Sequence, residues 1–293
     1  MISYNPKDWA RFILGFPKSD TFIKLLPWLI ITALYAWGIA YLELYHFKFS
    51  TNSGIKNLSV LHSLLGFAIS MLLVFRTNTA YDRWWEGRRQ WGALVNNSRN
   101  LAIKLNSLLS QDDEKNRSFF MQLIPRFALE LKQHLQSEAT RLSLDEKPHP
   151  EIPDFDRSKH VPNQVASLIM NRLLLLQRQK QISSEQLLFL NNEASSFMDI
   201  CGACERIKNT PIPFSYSNFI KKFIFLYILT LPLGYVFSLG YLIIPVVVFV
   251  FYVLGSLELI AEEIEDPFGT DTNDLPMQRM YENIKRNVAE ILA

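Results

Sequence analysis

Two cysteines in 293 residues cannot build a disulfide framework, and both fall in one CGAC tetrapeptide, Cys201 and Cys204, which points to a reducing compartment for that region. An excess of one charge is missing too. A net charge of +2 sets up no global field for nucleic acid or an acidic partner, so only local charge patterns carry information. No glycine-rich phosphate loop, GxSxG turn or HExxH pair occurs, and the five histidines (46, 62, 134, 149 and 160) have no metal-ligand spacing along the chain. An enzyme of soluble type is therefore not expected. Internal repeats and low-complexity tracts are also absent. No cleavable leader is expected, since the first long apolar run begins near Leu25 and continues for more than twenty residues.

What is present is apolar. A content of 49% hydrophobic and 13% aromatic residues excludes a disordered chain, and the apolar residues are regionally concentrated. LLPWLIITALYAWGIAYLELY (25–45) has the roughly 20-residue length of a membrane crossing, tryptophan and tyrosine toward its ends, and Glu43 as its only charge. LSVLHSLLGFAISMLLVF (58–75) is a shorter uncharged run. The uncharged stretch 223–257 is too long for one crossing, and Pro232, Gly234 and Gly240 supply a break, which predicts a hairpin of two spans. Four spans follow. Lys7, Arg11, Lys18 and Lys24 precede the first, Arg76, Arg83, Arg88 and Arg89 follow the second, and Lys208, Lys221 and Lys222 precede the third, whereas the intervening loop holds only Lys48 and Lys56. The positive-inside tendency then places the termini and residues 76–222 in the cytosol of a multi-pass membrane protein.

The expected organisation is residues 1–75 with two spans, a helical cytosolic region 76–222, a membrane hairpin 223–257 and a cytosolic segment 258–293. Within the cytosolic region, apolar spacing predicts helices over 78–110, 115–140, 163–181 and 184–208. SQDDEKN (110–116) separates the first two, with Ser110, Asp112 or Asp113 as cap. The proline-rich, charged 143–163 reads as a loop, and TPIPFSY (210–216) stops the last helix.

The arginines after Phe75 stand among Trp84, Trp85 and Trp91, a composition suited to anchoring a span at its cytosolic foot. CGAC matches a CxxC redox pattern but lies inside a predicted helix, where two small buried residues are the plainer reading. The acidic stretch 258–274 gathers Glu262, Glu263, Glu265, Asp266, Asp271 and Asp274. These are oxygen ligands of the kind calcium takes, though not an EF-hand loop; a solvated helix end followed by a turn accounts for them equally.

Four features together resemble the bacterial bestrophins: the arrangement of spans, FRTNTAYDRWWEGRRQW (75–91), ACERIKNTPIPFSY (203–216) and EDPFGTDTNDLPM (265–277). The resemblance implies an all-α homopentameric channel, not an enzyme, with five subunits surrounding a central pore in lipid. Small monovalent ions would pass, chloride by resemblance, with cation selectivity open in a bacterial member. It assigns a hydrophobic neck to Phe67, Met71 and Phe75 on the second span. Independently, residues four apart advance about 40° and about 6 Å, so these three share a helix sector about 12 Å long. Ser59, Ser63, Gly66 and Ser70 form an adjacent stripe of small residues suited to close packing.

The resemblance also places a cytosolic aperture at Ile212, between Pro211 and Pro213. In eukaryotic members the segment after the fourth span helps form a calcium clasp, with an unbroken acidic run after Asn-Pro-Phe-Gly. Here Asp266 replaces the asparagine and Thr270, Thr272 and Asn273 interrupt the run, which weighs against calcium gating; Glu263, Asp266, Asp271 and Asp274 are the candidate ligands for calcium or another divalent cation, with no cofactor required. The rival readings are a membrane thiol oxidoreductase using CGAC and a non-conducting membrane scaffold.

Overall fold

A computed structural model of the chain describes residues 20–47, 58–136, 155–156 and 159–293. The cations Lys7, Arg11, Lys18, Lys48 and Lys56, the side chain of Ser59 and most of the 143–163 loop lie outside the described residues. The described residues form helices with no strand: α1 (Asp20–Tyr41), α2 (Leu58–Leu108), α3 (Glu114–Leu135), α4 (Val161–Arg178), α5 (Ser184–Asn209), α6 (Phe214–Leu239), α7 (Ile243–Glu265) and α8 (Met277–Leu292). They fall into two compact units. One comprises Arg83–Thr210 and Asp266–Ala293, the other the described residues of 2–82 together with Pro211–Glu265.

The second unit is apolar outside as well as inside. α1 packs along α7, α6 packs along α7, and Ala36, Ile69, Leu73, Ile224 and Val247 fill the space between helices. Its surface nevertheless exposes Trp28, Leu34, Phe225, Leu242 and Phe249 by more than half. Water does not tolerate so continuous an apolar exterior, whereas lipid or another copy of the chain does. Residues 21–46, 60–108 and 214–265 are long and apolar enough to cross a membrane, and the last of these is the helix pair α6 and α7. The break between that pair falls at Gly240, whose φ of +54° is a backbone conformation that glycine adopts without strain, followed by a short 3-10 turn. Pro232 is accommodated inside α6, as proline often is within membrane helices.

The first unit is built as a soluble helical domain. Trp91, Phe120, Phe127 and Phe197 are fully buried, and the Phe127 and Phe197 rings stack with centroids 5.0 Å apart. Burial of each contributes about 1.5–3 kcal/mol. Helix starts are capped as the composition demands: Asp113 accepts from Asn116 N–H on α3, and Ser183 forms a reciprocal capping box with Gln186 on α5. α8, which the sequence reading leaves unassigned, packs on α3 through Met277, Met280, Tyr281, Ile284, Val288 and Leu292, a regular three-and-four spacing.

α2 departs from expectation. Its apolar and charged halves, read as a span and a separate helix, form one continuous helix of 51 residues. Glycine and proline are absent from the junction, and buried positions 69, 73, 76, 80, 87, 91 and 94 continue one three-and-four seam through it. The hydroxyls of Thr77 and Thr79 donate back to the Leu73 and Phe75 carbonyls at 2.8 and 2.9 Å, which keeps their polarity within the helix.

Candidate functional site

In the second unit, Phe67, Met71 and Phe75 stand one above the other on the side of α2 away from its buried seam, 69%, 44% and 57% exposed. The small-residue stripe beside them divides. Gly66 is pressed under Tyr227 of α6, whose Oη would lie 2.9 Å from an added Cβ, while Ser63 and Ser70 are exposed and Ser70 donates to the Gly66 carbonyl at 2.7 Å. On the buried side His62 shares a hydrogen bond with Thr230 Oγ1 at 2.9 Å and packs against the Tyr227 and Tyr235 rings.

Directly after Phe75, Arg76 corrects the anchoring reading, because its side chain is only 1% exposed. Its Nη2 pairs with Glu265 Oε2 at 2.6 Å and its Nε lies 3.7 Å from Glu258 Oε1. A buried guanidinium persists only when paired. The other oxygen of Glu265 accepts the Ile212 N–H at 2.8 Å. Since proline lacks a backbone donor, that N–H is the sole one in Pro211-Ile212-Pro213. One carboxylate thus joins the foot of the Phe67–Phe75 column to Ile212, which is half-buried between the end of α5 and the start of α6. No sequence signal marks this contact across so long a stretch of chain.

The remaining cations of the arginine-rich stretch belong to the first unit. Arg83 donates to the Ile207 and Thr210 carbonyls, a cation on the C-terminal turn of α5 where the helix dipole favours it. Trp84 Nε1–H donates to Asn273 O at 3.0 Å, and Trp91 is core. Trp85, Arg88 and Arg89 line an open groove of about 460 Å³ with Gly92, Ala93 and Asn96.

Of the acidic candidates, Glu263 belongs to the second unit and Asp266, Asp271 and Asp274 to the first. Glu263, in the second unit, is paired with Lys24 at 2.8 Å. In the first unit, Asp274 is buried and accepts from Asp271 N–H, and Asp266 accepts from Phe268 N–H at 3.4 Å, so these carboxylates fold the turn after α7. Gly269 is required there, since an added Cβ would meet Asp274 Oδ2 at 2.6 Å.

Cys201 and Cys204 lie inside α5, fully buried. Burial, with the Glu205 carboxylate beside it, pushes the Cys201 thiol up to about 12, and burial pushes Cys204 higher still. A thiol held protonated is neither a nucleophile nor a redox centre, which disfavours the oxidoreductase reading.

A family model described as bacterial/fungal bestrophin protein matches residues 1–290. The voltage-dependent anion channel-forming protein alr2987 of Nostoc sp. is 36% identical over 259 residues, spanning 87% of this chain and 83% of that protein. The voltage-dependent anion channel-forming protein YneE of Escherichia coli is 30% identical over 292 residues, 96% of this chain and 86% of that protein. Among solved structures, a bacterial bestrophin homologue from Klebsiella pneumoniae carrying a point substitution superposes with a TM-score of 0.80 at 28% identity, over 92% of this chain and 100% of that one.

Proposed function

The chain belongs to the bacterial and fungal bestrophin family and is a membrane protein, and from that premise we propose that it forms a homopentameric channel for small monovalent ions. The observation that carries this reading is the column of Phe67, Met71 and Phe75 standing free on α2. Apolar side chains this exposed need a partner other than bulk water. Five copies around an axis would turn them into stacked rings that gate by wetting and dewetting.

Ile212 is the proposed second constriction, and the Arg76–Glu265–Ile212 link holds neck and aperture as one element of each subunit. Four spans, α1, the apolar half of α2, α6 and α7, cross the bacterial inner membrane with both termini cytosolic. The relatives' names favour anions. Phe and Met carry no charge, so the neck limits flux without choosing its sign, and charged surfaces outside it set selectivity. Conduction needs no catalytic step. Calcium is left out of this reading, because the carboxylates that would bind it serve Lys24 and the turn after α7.

The test is single-channel recording of purified protein in planar bilayers under a potassium chloride gradient. A reversal potential near the chloride Nernst value supports an anion channel, and one near the potassium value reassigns the permeant ion. Silence from well-folded oligomers favours the scaffold reading.

A further inference from the structure

His134 in the last turn of α3, His160 at the N-cap of α4 and Glu205 near the end of α5 meet at one point of the first unit. Both imidazole Nε2 atoms lie against the same oxygen, Glu205 Oε1, at 2.7 and 2.6 Å, and the ring centroids are 4.4 Å apart. One ligand atom from each residue lies within 4.8 Å of the other two. Glu205 is 71 and 45 residues away from the two histidines, so the absence of metal-ligand spacing along the chain does not hold in space.

We propose that His134, His160 and Glu205 bind one late first-row divalent cation, with zinc as the fitting occupant. Two imidazoles and one carboxylate are the donor set such cations prefer, and three protein ligands leave a fourth, tetrahedral position for water. The side chains are 35%, 28% and 29% exposed, open enough for an ion to enter from solvent. A tetrahedral zinc holds its ligand atoms about 3.3 Å apart, so each of the two N···O separations, now 2.7 and 2.6 Å, has to open by less than about 1 Å. The cations that follow Glu205 on α5 are engaged elsewhere: Arg206 pairs with Glu86, and Lys208 donates to the His134 carbonyl. Glu205 supplies the opposing negative charge.

Binding has one definite local cost. His160 Nδ1 accepts the Asn163 N–H at 3.1 Å and so caps α4, which leaves the ring proton on Nε2, facing Glu205. A metal at Nε2 moves that proton to Nδ1 and removes the cap, a loss that zinc binding exceeds many-fold. In return the ion ties three helices to one point. The three ligands all belong to the first unit, and the test of the site does not depend on conduction.

The experiment titrates chelator-treated full-length protein in detergent with cobalt(II), then zinc. The expected result is one cobalt per chain with the visible absorption of a four-coordinate site, abolished when zinc displaces it. His134→Gln and Glu205→Gln should weaken binding by about 100-fold or more. His160→Asn should do the same while keeping a good N-cap and a near-native melting temperature. The double variant Cys201→Ser/Cys204→Ser should bind normally. Absence of the cobalt spectrum overturns the proposal, as does binding that survives Glu205→Gln and His160→Asn or that vanishes in the double cysteine variant.

Discussion

Arg76 and Glu265 form a 2.6 Å ion pair with the arginine 1% exposed, and the same glutamate takes the Ile212 N–H on its other oxygen. Removing the guanidinium breaks the pair with Glu265 and takes away a cation 3.7 Å from the buried Glu258. Arg76→Ala should cost about 3–5 kcal/mol, the range for breaking a buried pair from one side. Glu265→Gln keeps an acceptor for Ile212 but turns an amide NH2 toward Arg76 Nη2 and takes the carboxylate from a buried guanidinium, so it should cost a comparable amount. Thermal unfolding of the two variants in detergent checks that both are destabilised.

Arg83 donates to two carbonyls at the end of α5. Arg83→Ala should destabilise the first unit by about 1–2 kcal/mol, through loss of charged hydrogen bonds and of the dipole term. Arg83→Lys, with a single cationic group, should recover part of this. Protection from hydrogen exchange in residues 203–210 is the readout.

Gly66 sits under Tyr227, so Gly66→Ala forces a methyl group to within 2.9 Å of the phenolic oxygen. Overpacking of this kind costs about 1–3 kcal/mol. Tyr227→Phe removes that oxygen and leaves the next ring atom at 3.6 Å, an ordinary contact. The double variant should be more stable than Gly66→Ala alone, as judged by melting temperature.

The two thiols should resist maleimide at neutral pH and react fully only after denaturation. Cys201 is raised from 9.0 to about 12, so the unfolded chain releases its proton first as pH rises. The thiol's contribution to stability is therefore complete below about pH 9 and falls as the pH climbs from there toward 12. A melting series across that window should decline in the native protein and decline less in Cys201→Ser.

Local signals read from the sequence carried over into structure where chain neighbours decide the outcome. Asp113, one of three expected caps, starts α3, Gly240 breaks the hairpin, and the helix expected from residue 184 begins there, because caps and turns use adjacent backbone. The apolar runs were legible for the same reason. Arg76 was not, because a charge beside an apolar run reads as a solvent-facing boundary, and its partners are 182 and 189 positions on, in α7. Continuity of α2 was lost with it. The His134–His160–Glu205 cluster is assembled by packing of three separate helices, and no local spacing encodes that. α8 did carry a readable signal in the spacing of Met277, Tyr281, Ile284, Val288 and Leu292.

The most direct measurement is open-channel conductance of wild type beside Phe67→Ala/Met71→Ala/Phe75→Ala, recorded in the same bilayers with equal oligomer recovery. If the three side chains form the constriction, the triple variant shows larger conductance or longer openings, since the apolar rings that hold water out are gone. Unchanged conductance and gating in a folded variant would contradict the account and place this face of α2 against lipid.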